Sequence, residues 1–176
     1  MLAAFQKEDL REYAVGRRAK YEEALQKMVE IPTVSVEPDR KAEVHRGAEY
    51  AASLLESFGG KARLYETKGH PIVHGRFDRG PNLPTVTVYN HLDVQPAEGD
   101  DWETPPFEFV KKDDRYFGRG TTDDKGPAMT ALFGARYAWE QDIPVNHSEY
   151  FAPVIQPTLS NGTQALVVAA MTYLAK

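Results

Sequence analysis

"TVTVYNHLDV", residues Thr85 to Val94, sets the architecture of this chain. Its first six residues are rich in β-branched and aromatic side chains, which suit a strand. Their near-continuous apolarity makes 85–90 the candidate for the centre of a sheet. The strand then ends in a histidine, and Asp93 follows two positions on. Residues i and i+2 of an extended chain face the same way. His91 and Asp93 therefore project together from the strand end, where open α/β sheets place ligand sites.

Upstream, Tyr21, Ala24, Leu25, Met28 and Val29 recur at helical spacing between Asp9 and Glu30, with Gly16 a point where that helix frays or kinks. "IPTVSV" (31–36) breaks the pattern at Pro32. A second helix from about Asp39 stacks Val44, Ala48, Ala51, Leu54 and Leu55 and stops at Gly59-Gly60. "KARLYE" (61–66) and "PIVHGRF" (71–77) read as strands, and "FEFVKKDDRYFG" (107–118) alternates about a polar turn as a hairpin. Pro127 sits where a helix begins, and Met129, Leu132, Phe133 and Tyr137 carry it to about Trp139. Residues 142–160 are punctuated by three prolines and read as a loop or junction; Leu166, Val167, Ala170 and Leu174 stripe a last helix from about Ser160. The expected fold is α/β, a mixed β-sheet sandwiched by helices.

With 176 residues, 41% of them hydrophobic, the chain can bury one core. A formal charge of −5 and the lack of a Lys/Arg cluster argue against a nucleic-acid partner. No apolar run approaches a membrane span, and the first residues turn polar too early for a signal peptide, so a cytoplasmic protein is expected. Cysteine is absent, leaving His and carboxylates as the donors for any metal.

"YFGRGTTDDKGP" (116–127) is the second informative stretch. Asp124 can cap the following helix, whereas Asp123 cannot share that task and would gain from a cation. Lys125 reads as a surface lysine. For His91-x-Asp93, a strand-end histidine bonded to a turn aspartate is the plain alternative to a metal ligand.

"HLDVQPAEGDDWETPPF" (91–107) followed by "TTDDKGP" resembles the co-catalytic zinc exopeptidases, the family of carnosinases, cytosolic non-specific dipeptidase, carboxypeptidase G and succinyl-diaminopimelate desuccinylases. The dipeptidase branch is the nearest, through its Gln-Pro and the tryptophan ahead of Pro-aromatic, and "IPTVSV" is similar to the family's first connection. The resemblance implies a phosphorylase/hydrolase-like catalytic domain that hydrolyses peptide or N-acyl amino acid amides with two zincs, manganese or cobalt being alternatives. It further implies His91 as a zinc ligand, Asp93 as the catalytic-site residue orienting it, and Asp123 as the bridging ligand beside a cis Asp123–Asp124 peptide.

The family's Glu-Glu pair, one residue a general base and its neighbour a ligand, has no counterpart beyond Asp123. The chain reads as a single domain (1–176) in which a part ending at Asn146 is joined to a family-like C-terminal part from His147, without the lid and dimerisation domain. His147 is then a candidate late zinc ligand, with a loop histidine as the alternative. Glu149 is a candidate base or an ordinary loop residue, and His45, His70 and His74 are structural or solvated. The implied function is a metal-dependent peptidase, weak or inactive as this chain. A dead remnant serving as a small binding domain is the rival, and exposed strand edges favour self-association.

Overall fold

The computed structural model describes residues 7–99, 101–143 and 146–148. Helix α1 spans Lys7–Val29 and runs through Gly16 without a break. A short 3-10 turn (Pro38–Arg40) leads into α2, Lys41–Ser57. Strands β1 (Lys61–Tyr65), β2 (Ile72–Phe77) and β3 (Thr85–Val86) follow, then β4 (Val110–Lys112), β5 (Arg115–Phe117), α3 (Lys125–Glu140) and β6 (Asn146–Ser148). No described helix is long and apolar enough to cross a membrane.

The main sheet has the order β1-β2-β6-β3. β1 and β2 pair antiparallel from Lys61↔Arg76 to Tyr65↔Ile72, β6 runs antiparallel to β2, and β3 runs parallel to β6, so the sheet is mixed. β4 and β5 form the expected hairpin. Its turn holds Asp113 and Asp114 at φ of 51° and 55°, a left-handed pair that matches the twist of a tight hairpin. The hairpin docks on α1 through Glu22, which accepts from Lys111 Nζ at 2.8 Å and from the Tyr116 hydroxyl at 2.9 Å.

The helices pack as their spacing predicts. Ala24, Leu25, Met28 and Val29 of α1 meet Ala51 of α2 and Ala128, Met129 and Phe133 of α3 in one buried cluster. Leu55, Leu132 and Phe77 form a second, which fastens α2 and α3 to the sheet. Tyr21 stacks edge-on against Phe133 and donates to the Gly126 carbonyl.

Three expectations change. Among the described residues the run 85–90 forms a strand at Thr85–Val86, and that strand lies at the edge of the described sheet rather than its centre. Val86 and Tyr89 are 47% and 65% exposed; apolar composition reports affinity for a pleated surface, not how many neighbours a strand receives. The stretch read as a loop or junction contributes β6, whose backbone slots between β2 and β3. Finally, the sandwich has one helical layer among the described residues. Helices cover the face of β2 that carries Phe77, while Tyr65 and Ile72 on β1 and β2 remain 41% and 50% exposed. The helix expected from about Ser160 lies outside the described residues.

Candidate active site

The segment after β3 is held by the "IPTVSV" connection, which runs alongside it. Val34 and Val94 form a parallel bridge, the Val94 amide donates to the Thr33 carbonyl, and Thr33 Oγ1 donates to the Leu92 carbonyl. Thr33 is 1% exposed, so its hydroxyl needs this partner. Ser35 Oγ donates to Asp93 Oδ2 at 2.6 Å, and a ring nitrogen of His70 meets the Ser35 carbonyl at 2.9 Å. His70 therefore has a structural role, and His45 pairs with Glu66 on the surface.

His91 sits at the end of this stitched segment. Its Nδ1 lies 3.1 Å from the Asp93 carbonyl and 3.3 Å from Asp93 Oδ1, both acceptors, so a proton on Nδ1 is favoured. The opposite nitrogen, Nε2, lies 3.1 Å from Asp123 Oδ1, 32 residues further along the chain. Burial pulls the imidazole pKa down. The bond to the Asp93 carbonyl and the charges of Asp93, Asp124 and Asp123 outweigh it and hold the pKa above the ordinary histidine value.

Asp123 reaches this position from the loop between β5 and α3. Arg119 folds the preceding acidic loop around itself: its guanidinium lies 4.8 Å from the Trp102 ring centroid and donates to the Pro96 carbonyl. Gly120 then turns the chain with φ of 90°, and a Cβ there would lie 2.9 Å from both Lys125 Cδ and Val94 Cγ1. Gly120→Ala is expected to cost about 1–3 kcal/mol, read as a lower urea midpoint, because it combines a left-handed backbone with two close contacts. The Asp123–Asp124 peptide is cis.

Two readings of "TTDDKGP" are overturned. Asp124 occupies the N-cap position of α3 but makes no side-chain cap. Lys125 is not on the surface; it is 0% exposed. Its Nζ donates to the carbonyls of Met28 and Ile31 at 2.8 and 2.7 Å at the end of α1, adding to the bonds these carbonyls accept from the Ile31 and Thr33 amides. Burial pushes this amine down to about 7, with the charge of Asp93 pulling back upward. A lone lysine in sequence carries no sign of this.

A groove of about 430 Å³ opens beside His91 and Asp93, walled by Ala48, Ala51 and Leu55 of α2 and Met129 and Leu132 of α3. An imidazole nitrogen and a carboxylate oxygen facing each other are donors that suit zinc in kind. They fall short in number, since zinc takes three or four protein ligands. Among the described residues no group of three or more His, Cys, Asp or Glu side chains is placed to hold a metal. His147 lies in β6, its backbone opposite Phe77 and Val86; its side chain and Glu149 fall outside the described residues.

Residues 87–167 match the family model of peptidase family M20/M25/M40. The chain is 36% identical over 136 residues to the Cys-Gly metallodipeptidase of Schizosaccharomyces pombe, covering 69% of this chain and 29% of that protein. It is 32% identical over 143 residues to the human Beta-Ala-His dipeptidase, covering 72% of this chain and 28% of that one. Among solved structures, human carnosine dipeptidase 1 superposes with a TM-score of 0.71 at 28% identity, over 80% of this chain and 33% of that chain. The metallo-carboxypeptidase Sso-CP2 of Sulfolobus solfataricus gives 0.66 at 29% identity, over 73% and 29%. The chain thus spans about three tenths of the length of the curated relatives it matches.

Proposed function

The chain belongs to peptidase family M20/M25/M40, and on that footing we propose that it carries part of the metal centre of a dipeptidase-type hydrolase. One observation carries the reading: His91 Nε2 and Asp123 Oδ1 meet at 3.1 Å from elements far apart in sequence. These two side chains would hold zinc, which when bound supplies Lewis acidity toward a peptide carbonyl. Asp93 keeps the proton on His91 Nδ1, leaving Nε2 free as a donor. Ser35 in turn fixes the Asp93 carboxylate. The groove beside His91 admits a short peptide or N-acyl amino acid, by analogy with relatives that act on Cys-Gly and Beta-Ala-His dipeptides.

The same reading limits the activity. Beyond Asp123 the sequence has no Glu-Glu pair to serve as base and ligand, and two protein donors hold a metal weakly. His147 is a third donor in this reading, brought in by the junction after Asn146. Hydrolysis of Cys-Gly or β-Ala-His by this chain, with zinc or manganese added, is therefore expected to fall orders of magnitude below that of a longer relative. Turnover matching such a relative would refute that limit. The rival reading, a remnant that binds without catalysis, draws on the same shortage of donors. It predicts no metal-dependent turnover at all. A cytoplasmic location and self-association through the exposed edge of β3 complete the proposal; sedimentation of the purified chain tests the latter.

A further inference from the structure

We propose that Asp124 is a positioning residue that holds the His91-bearing segment against the Asp123-bearing loop, an inference that rests on the metal-site reading above. Asp124 stands where an aspartate normally accepts a bond from the first turn of its own helix. It forgoes that bond. Instead Oδ2 accepts from Asn90 Nδ2 at 2.9 Å and from the His91 backbone N–H at 3.2 Å, both partly buried.

Something has to hold these elements together, and the His91–Asp123 contact is a poor candidate. The two side chains are 42% and 82% exposed, and an exposed ion pair contributes little in water. Among the described residues the ladder of β3 covers Thr85–Val86, upstream of His91. On its far side, His91 is followed by a segment bonded to Thr33 and Ser35. On its near side, Asp124 provides the side-chain acceptor for both the His91 amide and the residue before it. Since Asp124 adjoins Asp123 in the chain, the same bonds bring the second donor within reach.

The test is a cobalt(II) titration, followed by visible absorption, of the wild-type chain, Asp124→Ala, Asp124→Asn, His91→Ala and the His91→Ala/Asp124→Ala double variant. Loss of a residue that orients a metal ligand typically weakens affinity about 10- to 100-fold. Asp124→Ala is expected to show that loss, and Asp124→Asn, which keeps an oxygen acceptor, to recover part of it. In the His91→Ala background, Asp124→Ala should cost less, because the imidazole it positions is gone. Affinity unchanged in Asp124→Ala, or an equal loss in both backgrounds, overturns the proposal. Amide hydrogen exchange of the metal-free protein separates this inference from the metal reading. If the wild type takes up no cobalt but the His91 amide loses protection in Asp124→Ala, the metal reading fails and the positioning role stands. If His91 protection is also unchanged, both fail. Should the alanine variant not fold, Asp124→Asn carries the comparison, with intermediate cobalt affinity expected and unchanged affinity and protection contradicting it.

Discussion

Lys125→Ala lowers the free energy of unfolding by roughly 3 kcal/mol, the largest loss of stability expected from a charged residue here. The reason is local. Lys125 is 0% exposed and its Nζ is bonded to the carbonyls of Met28 and Ile31. Truncation leaves both acceptors without that donor and removes a packed aliphatic stem. Lys125→Met separates the two effects: it restores the stem but not the bonds, and is expected to cost about 1–2 kcal/mol. Burial also holds the amine at about 7, below its ordinary 10.5. Above pH 7 the unfolded chain then binds the proton that the folded chain has released. The Lys125 contribution therefore makes stability rise between about pH 7 and 10.5. Urea denaturation across that range should show a slope in the wild type that is reduced in Lys125→Met. A methionine variant as stable as the wild type at every pH would remove Lys125 from the account.

The second large effect is on metal binding. His91→Ala and Asp123→Ala each remove one of the two facing donors. With a ligand itself removed, zinc affinity measured by competition with a chromophoric chelator is expected to fall in each variant by at least the roughly 10- to 100-fold that loss of an orienting neighbour costs. The folds should persist, because both side chains are substantially exposed. Asp123→Asn is the sharper comparison: it keeps the shape and removes the charge that favours a cation. Zinc content unaffected by all three changes would separate the bound metal from these residues.

Much of this was readable from residue spacing. The apolar stripe of α1, the Gly59-Gly60 stop of α2, the polar turn of the hairpin and Pro127 near the start of α3 are local signals, and they place elements within a few residues of where they lie. The pairing of His91 with Asp93 follows equally from strand alternation, and it survives although the strand itself is shorter than expected. What escaped was set by long-range packing. The edge position of β3 depends on where β6 inserts, and three residues flanked by prolines and polar side chains give little periodicity to read. Lys125 looked like an exposed charge because its carbonyl partners lie 94 and 97 residues away. Asp124 was legible as a helix cap by position, but the direction of its carboxylate depends on Asn90 and His91 being present. Ser35 was hidden in the same way, as a serine in a connection whose partner, Asp93, is 58 residues distant.

The geometry makes one demand that can be seen directly: a single cation touching an imidazole and a carboxylate delivered by different loops. An anomalous-difference map from a crystal of the zinc-loaded chain decides it. The account predicts a zinc peak about 2.0–2.2 Å from both His91 Nε2 and an Asp123 carboxylate oxygen. A peak bound elsewhere, with these two side chains free of it, would contradict it.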